Sequence, residues 1–113
     1  MASKAWDKTE QRAVCIAWVM MQQASAQGTK FNKSQIRRDL IAGPLAARSP
    51  GAVEGKMMNC SAVAERLGLP SLPGYKPAPH YQAELLETMR EVWNALVTDV
   101  PSAEGISMLL KAV

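Results

Sequence analysis

Apolar positions recur along this chain mostly with the period of a helix. Val53, Met57, Cys60, Ala64 and Leu67 follow one another at spacings of four and three, which lines them up as one stripe. Leu85, Met89, Val92 and Leu96 make a second row, with Leu86, Trp93 and Val97 beside it. Ile36 and Leu40, with Ile41, make a shorter one. From Val14 to Met21 the apolar character runs all round. A segment of that kind is either the central helix of a domain or half of an interface between two copies. β-Branched residues are too sparse in it for a strand.

Capping residues and breakers set the limits of these segments. Asp7 or Thr9 caps a first helix that runs to about Ala26 and stops at Gly28, with Glu10 in the first turn, where the helix dipole favours it. Asn32 or Ser34 caps a second helix, Lys33 to about Ala42, and Gly43-Pro44 ends or interrupts it. Ser49 followed by Pro50 is a strong start for a third helix, expected to reach Leu67 before Gly68. The run from Leu69 to Pro79 holds too many prolines for regular structure, yet Leu69, Leu72 and Tyr75 predict an ordered strap on the body. Pro79 opens a fourth helix, about His80 to Val97. Pro101 breaks it, and Ser102 caps a short last helix, Ala103 to Lys111, whose Ile106, Leu109 and Leu110 either dock it or, if the chain is a fragment, meet something downstream. The expected fold is all-α: a single domain over residues 1–113, core 6–97, with four to five helices in a compact bundle and a Pro-rich ordered strap.

The totals limit what such a bundle can be. At 113 residues the chain suits one domain with its own core. No apolar run approaches the roughly 18 residues that span a bilayer, so no membrane partner is expected. Lys4, Asp7, Lys8 and Glu10 stand where a secretory signal would be apolar, so the cytoplasm is the expected compartment. Cys15 and Cys60 lie in apolar helical pattern and read as small buried hydrophobes. The lone histidine, His80, is far from both, so neither a metal site nor a cofactor is expected. Ser61 has no base beside it, and no residue set resembles a catalytic centre, so an enzyme is not expected.

Charge alters the picture more. Residues 30–56 hold six Lys and Arg against two acids, whereas residues 57–113 hold four against six. A basic middle beside an acidic end points mildly to a polyanionic partner.

The block Arg48-Ser49-x-Gly51-Ala52-Val53-Glu54-x-Lys56-x-x-Asn59-x-Ser61-Ala62-Val63 adds a resemblance. With Leu67-Gly68-Leu69-Pro70, Gly74-Tyr75-Lys76-Pro77 and the early Trp6 and Glu10, it resembles the helical domain found ahead of HNH-type endonuclease domains in bacterial and phage proteins. The likeness covers about residues 6–85. It implies a Myb-like or helix-turn-helix-like three-helix core that binds DNA, with the third helix as recognition element. The His-Asn-His nuclease constellation is missing, so the resemblance implies no catalysis.

On that reading Arg48 and Ser49 meet a phosphate at the helix start, and Lys56 and Asn59 face outward to read bases. Lys30, Lys33, Arg37 and Arg38 supply sequence-independent phosphate contacts. Asn59 has an alternative use, a hydrogen bond from helix to strap. Glu54 suits a salt bridge to a nearby cation, and Tyr75 and Tyr81 suit packing of the strap better than stacking on bases. The alternative function is a protein-interaction module, such as a phage-encoded inhibitor of a host protein, and the apolar first helix allows a homodimer.

Overall fold

The computed structural model describes residues 5–97, which form four helices and no strand. Helix α1 spans Lys8–Ala26, α2 Lys33–Ala42, α3 Pro50–Arg66 and α4 Ala83–Leu96. The expected final helix, Ala103 to Lys111, lies outside the described residues.

Local chemistry sets most of the boundaries. Asp7 caps α1 in a capping box: its carboxylate accepts from the Glu10 N–H at 2.8 Å, and Glu10 accepts from the Asp7 N–H at 3.0 Å. The Asn32 side chain accepts from the Gln35 N–H at 3.0 Å to start α2. Ser49 Oγ accepts from the Ala52 N–H at 3.1 Å, with Pro50 in the first turn of α3. At the other end of α3, Gly68 takes φ +74°, and the Leu69 N–H returns to the Ala64 carbonyl at 2.9 Å.

α4 starts three residues later than its sequence pattern predicts. Gln82 is extended (φ −66°, ψ 137°) and caps without a side-chain bond. The His80 carbonyl is taken by Asn59 of α3, and the Gln82 side chain is taken by Lys56 and by the Trp6 carbonyl. Both groups that would open the helix are thus tied to other elements.

α1 packs against all three other helices, and α3 also touches each of them. Trp18, Val14 and Met21 of α1 meet Val53, Met57 and Val63 of α3 and Leu85 and Met89 of α4 in one fully buried core. The central position expected of α1 is observed. α2 is peripheral: none of its residues is buried, and Ile36, Leu40 and Ile41 pack only partly on the core. The Pro-rich strap is ordered on the body as expected, with Leu72 and Tyr75 buried and the Ala78 N–H donating to the Met58 carbonyl at 3.0 Å. No described helix is long and apolar enough to cross a membrane.

Candidate nucleic-acid interface

The residues chosen from the sequence fall into two groups, and the structure treats them differently. The α3 group turns inward around Trp6, a half-buried side chain just ahead of α1. The Arg48 guanidinium grips Glu10 with two donors, Nε to Oε2 and Nη2 to Oε1, both 2.7 Å. It also donates to the Ala5 carbonyl at 3.0 Å and lies over the Trp6 ring at 4.9 Å. The bond to Glu10, more than any other influence, holds its pKa above the ordinary arginine value.

Lys56 is only 8% exposed. Its ammonium donates to Gln82 Oε1 at 3.1 Å and lies 5.0 Å from the centre of the Trp6 ring. Burial lowers its pKa, because a charge shut away from water is disfavoured. Asn59 spends its amide on the strap, donating to the Ala78 carbonyl at 2.8 Å and the His80 carbonyl at 3.1 Å. Ser49 is the cap of α3.

The outward-facing Lys56 and Asn59 of the sequence reading are therefore corrected. Residues before α1 and after α3 cover this side of the helix, and their carbonyls and amides need those donors. Arg48 is likewise committed to Glu10 rather than left for a phosphate. The Arg-Ser…Lys…Asn spacing is a knot that ties four segments together: the N-terminal stretch, α1, α3 and the strap. Ser61, on the same helix, accepts the indole N–H of Trp18 at 3.0 Å. Cys60 Sγ sits 4.0 Å from Cys15 Sγ, and both thiols are buried and free. Burial first, then the contact with Cys15, pushes the Cys60 pKa well up, so it is an inert thiol at neutral pH.

The α2 group stays nearer the surface. Lys33 Nζ donates to the Gly74 carbonyl at 2.9 Å and caps the Tyr75 ring at 4.1 Å. Gly74 has φ +98°, and a Cβ there would come within 3.1 Å of that ammonium. Arg37 reaches Glu54 at 3.4 Å, the salt bridge expected for that acid. Arg38 is exposed and donates to Gln35 at 2.9 Å. Lys30 is exposed, three residues before Lys33, and Lys76 follows Tyr75 on the strap, also exposed. Tyr75 is 6% exposed, with burial raising its pKa, so it packs the strap as expected rather than offering a stacking face.

The structure thus brings Lys33, Arg37, Tyr75 and Glu54 together, flanked by Lys30, Arg38 and Lys76. Sequence reasoning missed Lys76 as a binding residue, because it sits in a segment read for its prolines and its packing residues. It also missed Gln82, whose role depends on Lys56 being buried. Among the described residues no group of three His, Cys, Asp or Glu side chains is placed to hold a metal ion. Comparison with protein families, with curated proteins and with solved structures finds no match for this chain.

Proposed function

We propose that this domain binds DNA without catalysing a reaction, and that it does so through the edge formed by α2 and the strap rather than through α3. One observation carries the reading: Lys30, Lys33, Arg37, Arg38 and Lys76 gather about α2 and the adjoining strap, where no acid occupies the helix's first turn. A lysine at a helix N-terminus opposes the macrodipole, at a cost of about 0.3–1 kcal/mol. An anion seated there reverses that cost, because the amide dipoles and the ammonium then act together. Such contacts position a phosphate backbone and carry little sequence information.

The test is binding of a fluorescent duplex across a salt series. Affinity falls as salt rises, because each neutralised phosphate releases counterions. Lys30→Glu with Lys76→Glu alters two exposed side chains that make no ion pair among the described residues, and a circular dichroism spectrum like the wild type's checks that folding is kept. It weakens binding to every duplex sequence alike and makes the salt slope shallower by about one per lost contact. Arg90→Glu, on the far helix α4, leaves binding unchanged. Flat affinity across the series, or equal binding by the Lys30/Lys76 variant, refutes the reading.

A second reading, docking of a host protein, is favoured by Gly51 and Gly55 of α3. A Cβ at either would meet nothing within 4 Å, so contacts within the domain do not account for them. Gly55 borders a cleft of about 910 Å³ shared with Trp6, Ala52 and Met58. A partner backbone brought close to that helix would.

A further inference from the structure

Lys56 is the only buried cation among the described residues, and it is in none of their ion pairs. Its partners are both neutral: Gln82 Oε1 at 3.1 Å and the face of Trp6, 5.0 Å from the ring centre. An ammonium carries three donors, and Gln82 takes one. A charge removed from water is costly unless an opposite charge meets it, and burial here depresses the Lys56 pKa. The side chain therefore holds positive charge that the fold does not balance.

That charge stands at the edge of open space. Lys56 and Trp6 line the cleft of about 910 Å³ beside α3, a volume within the range of roughly 300–1,000 Å³ that holds small ligands. Its other walls are chiefly small and apolar: Ala52, Gly55, Met58 and Ala78. Two acids also line it, and neither is paired with Lys56. Glu10 is gripped by Arg48 at 2.7 Å, and Asp7 caps α1 through the Glu10 N–H. Their charges disfavour a second negative charge on the occupant. A phosphate is disfavoured for that reason, and because the Arg48 guanidinium that could fork it is committed to Glu10.

We propose that this cleft binds a small amphipathic monocarboxylate, with its carboxylate on the Lys56 ammonium and its apolar body beside Trp6, Ala52 and Met58. One negative charge then meets one positive charge, and the donors that Gln82 leaves gain acceptors. The site shares no residue with the edge of α2 and the strap, so it is independent of the DNA-binding reading. It gives the cleft a small molecule as occupant in place of a partner's backbone.

The test titrates the full chain with phenylbutyrate, its uncharged amide, inorganic phosphate and a capped Ala-Glu-Ala peptide. The Trp6 indole N–H and the Gly55 backbone N–H resonances report binding. Phenylbutyrate shifts both saturably, and the amide binds at least about tenfold more weakly, because it lacks the charge that Lys56 meets. Phosphate shifts neither saturably. In Lys56→Gln the acid loses its advantage over the amide. Gly55→Leu fills the cleft from a helix position where a Cβ meets nothing within 4 Å, so it removes phenylbutyrate binding without touching Lys56. Its affinity for duplex DNA equals the wild type's, so the two readings fail separately. No saturable shift, equal binding of acid and amide by the wild type, a preference for the acid kept in Lys56→Gln, or unchanged binding by Gly55→Leu overturns the proposal. So does phosphate that binds as tightly as phenylbutyrate. Tighter binding of the peptide overturns it too, and gives the cleft to an acidic side chain of a protein partner.

Discussion

Replacing Arg48 by methionine tests the knot around Trp6 directly. Methionine keeps much of the apolar stem but removes the guanidinium. The loss includes two 2.7 Å charge-assisted bonds to Glu10, one bond to the Ala5 carbonyl and the contact over the Trp6 ring. Breaking a fully buried pair by removing one partner costs about 3–5 kcal/mol. Here the side chains are 8% and 12% exposed, and Glu10 keeps its bond from the Asp7 N–H. Water and that remaining donor soften the penalty to roughly 2–3 kcal/mol, on the scale set by buried pairs. At about 4 °C per kcal/mol for a domain of this size, the melting temperature falls by roughly 10 °C.

Urea unfolding followed by tryptophan fluorescence measures the loss, with an unchanged m-value showing that the compactness of both states is kept. Arg48→Lys falls between the two, because an ammonium keeps the charge but not the two-donor fork. The double variant Arg48→Met/Glu10→Met recovers stability relative to the sum of the singles, since no uncompensated carboxylate remains. A loss below about 0.5 kcal/mol for Arg48→Met, typical of a plain surface change, sinks the reasoning. So does strict additivity in the double variant.

Two further predictions concern α3. Gly55→Ala stabilises the free protein by about 0.5–1 kcal/mol in thermal melts, because the added Cβ meets open space and a helical alanine loses less chain entropy; a loss of stability would contradict the open face. Stability also responds to alkaline pH with a worked sign. The Cys60 pKa is raised above its ordinary 9.0, so its stabilisation is complete below pH 9 and is lost as pH rises toward the folded value. Tyr75, raised above 10.0, acts in the same sense one unit later. Lys56 acts oppositely: its lowered folded pKa makes stability rise with pH up to 10.5. Urea midpoints of Cys60→Ala are therefore lower than wild type at pH 7 but fall less between pH 9 and 11, whereas Lys56→Met steepens that fall. Parallel curves for all three proteins would show that these groups do not govern the alkaline limb.

The helices were readable because their determinants are local. The caps Asp7, Asn32 and Ser49, the stops at Gly28 and Gly68, and the apolar rows of α1, α3 and α4 act over a few residues. Those interactions do not depend on what lies across the fold, so a linear reading finds them. Partnerships between distant segments are another matter. The sequence shows Lys56 and Asn59 as polar positions off an apolar stripe. It does not show that carbonyls at 78 and 80, and an amide at 82, come to rest on them. Burial of a polar side chain depends on a partner supplied by another part of the chain, and no periodicity encodes that meeting. The start of α4 shifted for the same reason, through the strap's own bonds. The all-α bundle with its ordered strap thus followed from the sequence. Only the tertiary structure decided which cations tie the fold together and which remain on its surface, because a charged side chain's role is set by the acid, carbonyl or water that folding places beside it.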